Sequence, residues 1–139
     1  MRVPWEIVEH PADVGFVAYG DTPDELFTNA ALAMLSLACD PAGIQERERR
    51  EFEASGTDPE ALLYAWLAEI LAVADAESMV FRRVEVTERA PGHLRGMAYG
   101  EKFDKARHHA GTYIKAVTYH QLRVEQTHEG WRAQVFLDV

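Results

Sequence analysis

Two stretches of the chain carry the same amphipathic helix pattern, and each begins with a capping residue followed by proline. Thr22 suits the N-cap of the first stretch, Pro23 its first helical position, and Glu25 the third residue of a capping box. Asp58 and Pro59 open the second stretch in the same way. Apolar residues follow at one-face helical spacing and at nearly matching offsets: Leu26, Phe27, Ala30, Ala31, Met34, Leu35 and Ala38, then Leu62, Leu63, Trp66, Leu67, Ile70, Leu71 and Ala74. The pattern predicts two helices of related units, whether by duplication or by shared helix chemistry.

Most of the remaining chain is strand-like. The alternation of apolar and polar residues from Trp131 to Leu137 has the period of two that a half-buried strand requires. Paired strand-like segments predict two hairpins and a shorter strand pair: residues 79–88 with 94–100, 119–126 with 131–137, and 3–9 with 14–19. The charged run 45–51 is interpreted as a solvated connection. We therefore predict one α+β domain over residues 1–139, a largely antiparallel sheet or sheets with both helices on one face, built from strand-helix-strand-strand modules.

Charge and cysteine content limit the classes of function. The chain of 139 residues carries 14 Lys and Arg against 23 Asp and Glu, a formal net charge of −9. Nucleic-acid binding requires clustered basic residues, so this balance favours a basic protein partner or a cation over direct, sequence-specific nucleic-acid binding. The one cysteine, Cys39, lies in an apolar run and is expected to face the core. With no signal-peptide pattern and no apolar run long enough to cross a membrane, we expect a cytoplasmic protein without a membrane partner.

Three short segments gather residues that can carry chemistry. A phosphate-binding glycine loop, a nucleophile elbow and the common zinc motifs are all absent from the sequence. The first segment is the predicted turn from His10 to Asp13, followed by Gly15, whose simplest role is structural, with Asp13 bonding its own turn. The second holds Lys115 in an apolar setting near His108, His109 and His120, whose spacing matches no standard zinc pattern. The third is Asp138, at the end of the last predicted strand.

In combination these segments resemble the archease family over nearly the whole chain. The matching motifs are the opening W-x-x-x-x-H-P-A-D-V-G, the D-E-L-F helix start, G-E-x-x-D-x-x-x-H, I-K-A-V-T-Y-H and the terminal W-x-A-x-V-x-x-D-V. Two mild departures are Pro11, where the family often has Thr, and Val139, where it often has Ile.

The resemblance implies an accessory protein without catalytic residues of its own. Archeases promote the guanylylation and repeated turnover of the RtcB-type RNA ligase that joins tRNA halves, and they can relax its nucleotide preference. The resemblance also implies a divalent metal site, most often calcium, made by Asp13, Asp138 and an oxygen of Val139. Lys115 belongs to the family's functional set, and the matching motifs add residues expected to serve the partner interaction: His10, His108, Thr118 and His120.

Elementary electrostatics makes such a metal site plausible. Two like charges about 4 Å apart repel by about 4 kcal/mol at an effective dielectric constant of about 20. A hard cation that prefers oxygen ligands removes this repulsion. Two other hypotheses stay open at this point: a metal-dependent hydrolase that uses His10, Asp13, His108 and Asp138, and a small-ligand-binding module.

Overall fold

The structure is a computed structural model that describes residues 3–10 and 13–139. For Glu9 and His10 it describes only the backbone. The described residues form two helices and eight strands. The helices are α1 (Pro23–Ala38) and α2 (Pro59–Glu77). The strands are β1 (Trp5–His10), β2 (Asp13–Gly20), β3 (Glu48–Ser55), β4 (Met79–Ala90), β5 (His93–Lys102), β6 (Ala116–Val117), β7 (Arg123–Thr127) and β8 (Gly130–Asp138). Neither helix has the length and apolar character needed to span a membrane.

Both helices begin where the sequence predicts. Thr22 caps α1, its hydroxyl oxygen accepting a hydrogen bond from the Glu25 amide at 3.2 Å. Asp58 caps α2, its carboxylate accepting from the Ala61 amide at 2.7 Å. Because these caps satisfy backbone donors that a helix leaves unpaired, they fix the starts of the helices locally. Cys39, just beyond α1, is buried as predicted.

The strands form two antiparallel sheets, and each helix contacts strands of both. One sheet has the order β1-β2-β8-β6, with β7 also paired to β8, and the other has the order β3-β5-β4. One hydrophobic core joins the sheets and helices, and the Trp66 indole N–H donates to the Phe27 carbonyl oxygen at 3.1 Å within it. The α+β class and the antiparallel pairing are confirmed.

The predicted strand-helix-strand-strand module occurs twice. The unit β3-α2-β4-β5 has its strands in the order first, third, second, and the unit β2-α1-β7-β8 repeats that order. Each unit turns from strand to helix with a glycine two residues before the N-cap, Gly20 in one and Gly56 in the other. A Cβ there would lie 2.4 Å from the Leu26 amide nitrogen or 2.3 Å from that of Leu62. The same close approach in both units supports their relatedness.

The close approach at Gly56 gives a direct test of this packing. Replacing Gly56 with alanine should lower the free energy of unfolding by about 1–3 kcal/mol, because backbone rather than a flexible side chain blocks the new methyl group. Urea denaturation would measure the change. Alanine at the exposed neighbour Thr57 is the control and should stay within about 0.5 kcal/mol of the wild type. Equal effects at the two positions would contradict the close approach.

Two sequence predictions require correction. The charged run 45–51 is not simply a connection, because strand β3 begins at Glu48 and pairs with β5 along its length. It is an edge strand in that sheet, so charged side chains remain in solvent while Phe52 and Ala54 enter the core. The strand predicted over 119–126 is shorter, since Gln121 has a φ of 51° and a turn closes before β7 begins.

Candidate functional site

Two carboxylates from distant parts of the sequence lie at the same end of the five-stranded sheet. The β2–β8 ladder ends with the pair of Val14 and Leu137, and Asp13 and Asp138 are the next residues beyond that pair on the two strands. Ala116 of β6 pairs with Asp138 from the other side. We call Asp13 and Asp138 the carboxylate corner; Asp138 is exposed and Asp13 is half-buried.

On the same face of the sheet, the packing of Phe136 explains why the first motif has a glycine at position 15. Gly15 pairs with Phe136, and a Cβ on Gly15 would lie 2.7 Å from Cδ1 of that ring. The Phe136 ring therefore lies against the Gly15 backbone, where a larger residue would displace it. Phe136 lies two residues before Asp138 on β8 and is almost fully buried.

Thr118 and His120 are held beside Phe136. The Thr118 amide and hydroxyl donate to the Phe136 carbonyl oxygen at 3.2 and 3.0 Å. The same hydroxyl accepts from the His120 amide at 3.2 Å, and the His120 ring centroid lies 5.8 Å from that of Phe136. Thr118 and His120 thus both contact Phe136, which lies two residues before Asp138 on β8.

Lys115 reaches the corner through its backbone. Its amide donates to the Asp138 carbonyl oxygen at 2.8 Å, which fixes the residue beside the end of β8. Ile114 and Val117 are buried on either side, as the apolar setting predicts, whereas the Lys115 side chain is exposed. Among the side chains that the structure describes, no carboxylate forms an ion pair with the Lys115 ammonium group. Its ammonium group is therefore available to an external partner.

The remaining predicted residues fall into different settings. The backbone of His10 pairs with Asp13, while the His10 side chain, Pro11 and Ala12 lie outside the described residues. Val139 is half-buried and follows Asp138 directly. Among the side chains that the structure describes, no three from His, Cys, Asp and Glu are grouped so as to hold a metal ion. A metal at the corner would therefore use the two aspartates together with oxygens of another kind, such as those of Val139.

His108 is buried in a polar network. Its Nδ1 accepts from the Asp104 amide at 2.8 Å, which assigns the proton of the neutral ring to Nε2. That Nε2 lies 2.9 Å from Oε2 of Glu101, a carboxylate that also receives the Arg107 guanidinium at 2.8 Å and the Gln45 amide at 2.8 Å. Both ring nitrogens are engaged, so His108 cannot ligate a metal without leaving this network.

This network anchors the loop that leads to Lys115. Asp104 closes a tight turn, with its backbone carbonyl accepting from the His108 amide at 2.8 Å. The loop is then pinned to the end of α1, where the Gly111 and Thr112 amides donate to the Ala38 and Leu37 carbonyl oxygens at 2.9 and 2.8 Å. Glu101 belongs to the matching motif G-E-x-x-D-x-x-x-H, but the sequence alone indicates no role for it. Its neighbours in the sequence include Lys102 and Asp104, so nothing there indicates that the Glu101 carboxylate is buried, which only the fold brings about.

The network also predicts a pH dependence of stability. The Arg107 guanidinium, followed by the Gln45 amide, lowers the pKa of Glu101 from 4.5 to about 2. A carboxylate whose pKa is lower in the folded state stabilises the fold above its unfolded pKa, and that stabilisation is lost as the pH falls from about 4.5 towards about 2.

Replacing Glu101 with glutamine should therefore make the free energy of unfolding depend less on pH below about pH 4.5. Urea unfolding at pH 6 and pH 3 would show a smaller loss for this variant than for the wild type. Glutamine at Glu69, an exposed carboxylate of α2, should keep the wild-type slope. If the Glu101 and wild-type curves run parallel between these pH values, the ion pair does not contribute as the geometry indicates.

Comparison of the whole chain with known proteins identifies its relatives. A family model described as "Archease protein family (MTH1598/TM1083)" matches residues 5–139. The chain belongs to the archease family. An archease of Pyrococcus abyssi is 39% identical over 97% of this chain and 98% of its own length. One from Methanosarcina mazei is 40% identical over 97% of this chain and 95% of its own length.

Solved structures of relatives share the fold. The solution structure of protein 1598 from Methanobacterium thermoautotrophicum superposes with a TM-score of 0.83 at 36% identity, covering 98% of this chain and 99% of that one. The crystal structure of a Thermotoga maritima archease, described as a possible chaperone, gives a TM-score of 0.63 at 23% identity, over 100% of this chain and 98% of that one. The second likeness concerns the fold alone.

Proposed function

We propose that this archease-family chain is an accessory protein, itself without catalytic residues, that activates an RtcB-type tRNA-splicing RNA ligase in the cytoplasm. It promotes guanylylation of the ligase and so its repeated turnover, and it broadens the nucleotides that the ligase accepts. The observation that carries the proposal is the placement of Asp13, Asp138 and Lys115 at one end of the sheet, where the Lys115 amide bonds to the Asp138 carbonyl oxygen.

The donor chemistry of the corner fits a divalent cation, with calcium the leading candidate. Two carboxylates and an oxygen of Val139 are hard oxygen donors, the type that calcium and magnesium prefer. A bound cation would supply positive charge that offsets the repulsion between the aspartates. The chain's own part would be to hold Asp13 and Asp138 at the same end of the sheet, with the Lys115 backbone anchored to the Asp138 carbonyl oxygen.

The charge balance supports a protein partner. The formal net charge of −9 makes the chain a poor binder of bare RNA and a good match for a basic protein surface. A ligase that handles RNA and GTP needs such a surface around its active site. Docking of the carboxylate corner and Lys115 against that region would bring both charge types to the site of guanylylation.

The hydrolase hypothesis fits the geometry less well. It requires His108 to act with His10, Asp13 and Asp138, yet the His108 ring is buried and both of its nitrogens are bonded to Asp104 and Glu101. The distinguishing experiment compares the protein alone with the protein plus ligase. Phosphoester hydrolysis by the protein alone would favour the hydrolase, whereas an activator shows its effect only when the ligase is present.

A further inference from the structure

A second surface lies where the two helices end, next to the loop that carries Lys115. A cleft of about 320 Å³ opens there between the C-terminal ends of α1 and α2. Its lining is mostly apolar, and includes Leu71, Ala74, Met79 and Ile114. Ile114 immediately precedes Lys115, so the loop that lines the cleft also carries the lysine whose amide bonds to Asp138.

The charge of this cleft is one-sided. Asp75 is the one charged residue among those that line it, and no lining residue is Lys, Arg or His within the described part of the chain. The Asp75 side chain is exposed and makes no hydrogen bond or ion pair with any described residue. Neither helix has a basic residue in its last turn, and helix C-termini favour cations. Lys102 illustrates this preference, because its ammonium group donates to the Glu77 carbonyl oxygen at 2.9 Å.

Two exposed aromatic rings complete the lining. Phe103 is 38% exposed and Tyr113 is 67% exposed, unusually open for large aromatic side chains. Aromatic faces attract cations, and the planar guanidinium stacks on them more readily than a compact ammonium group. An apolar floor suits the methylene stem of a long basic side chain whose charged head stays near the rim.

We propose that this cleft binds an arginine side chain from a basic segment of the partner protein. The arginine stem lies on the apolar floor, its guanidinium pairs with Asp75, and Tyr113 or Phe103 covers its face. The inference rests on the proposed function for the identity of the partner, but the recognition itself depends only on the cleft. It gives the acidic chain a second contact beside the carboxylate corner, and with it a defined orientation on the partner.

The direct test uses a blocked peptide, acetyl-Gly-Arg-Gly-Arg-Gly amide, titrated into the isotopically labelled protein and followed by NMR. We expect saturable shifts of the Ser78, Tyr113 and Ile114 amides. The same peptide with citrulline in place of arginine keeps the shape but loses the charge, and it should bind about tenfold more weakly. Asparagine at Asp75 should weaken arginine-peptide binding by a similar factor, whereas glutamine at Glu69, on another face of α2, should leave it unchanged.

Several results would overturn the inference. These are an absence of saturable shifts, equal binding of the citrulline peptide, or unchanged binding by the Asp75→Asn protein. Shifts at the cleft that appear on raising the protein concentration without peptide would assign the surface to a second copy of this chain instead.

A ligase assay separates this inference from the proposed function. With the ligase, Asp75→Asn should raise the protein concentration needed for half-maximal stimulation severalfold and leave the maximum unchanged, because Lys115 and the carboxylate corner are intact. If the half-maximal concentration is unchanged, the cleft does not bind an arginine of the ligase. If wild-type protein binds the arginine peptide but stimulates no ligase, the proposed function fails and the cleft assignment stands.

Discussion

Replacing Lys115 with alanine should reduce stimulation of ligase guanylylation at least about tenfold, while the protein stays folded. The side chain is exposed and makes no ion pair with the described side chains, so its loss breaks no internal salt bridge. The anchoring hydrogen bond to Asp138 uses the backbone amide and survives the substitution. A charge-assisted contact to a partner carboxylate or phosphate accounts for an effect of this size. Guanylylation rates, with circular dichroism as the check on folding, would measure it.

Two matched variants sharpen the result. Alanine at Lys105, an exposed lysine of the same loop, should leave stimulation unchanged. Arginine at Lys115 should restore little if a compact ammonium group is needed, because the guanidinium is a planar fork of different reach. A folded Lys115→Ala protein that stimulates at the wild-type rate would return Lys115 to the role of an ordinary surface lysine.

Replacing Asp138 with asparagine should abolish stabilisation of the protein by calcium. A ligand that binds only the folded state adds about 2.7 kcal/mol at 100 times its dissociation constant. For a domain of this size that raises the melting temperature by roughly 5–10 °C. Asparagine keeps the shape of the side chain but removes one of the two carboxylate charges, and with it the main reason for the cation to bind.

The control for this prediction lies on the same sheet. Glu6 is exposed on β1 and pairs with Val17, four residues along the ladder from Asp13. Glutamine at Glu6 should keep the full shift produced by calcium. A calcium shift that is equal in the wild type and the Asp138→Asn protein would show that the cation binds elsewhere, and repeating the scan with magnesium and manganese would rank the metals.

Local chemistry made the helices predictable. The Thr22 and Asp58 caps lie within a few residues of the groups that they bond, so sequence alone located both helix starts. Strand β3 was missed because an edge strand exposes most of its charged residues, and only Phe52 and Ala54 carry the buried alternation. Strand β6, two residues long, is created by pairing with the end of β8 and has no pattern of its own.

The candidate site was predictable in composition but not in arrangement. Motifs in the sequence indicate Asp13, Asp138 and Lys115, and the register between β2 and β8 puts the two aspartates at the same end of the sheet, just beyond the pair of Val14 and Leu137. Register between strands more than a hundred residues apart depends on the whole fold, so motif spacing could not supply it. The matching motif added His108 to the residues expected to serve the partner interaction, and the structure places its buried ring against Glu101, in the network that anchors the loop before Lys115.

The central proposal is that this chain renews an RNA ligase, and multiple-turnover RNA joining tests it most directly. Purified RtcB-type ligase would be given GTP, divalent metal and an excess of RNA halves, with and without this protein, and the joined product and guanylylated ligase would be followed together. We predict that the ligase alone stops after about one turnover, and that the protein restores guanylylation and sustained joining in proportion to its concentration. Identical product and guanylylation curves with and without the protein would contradict the account.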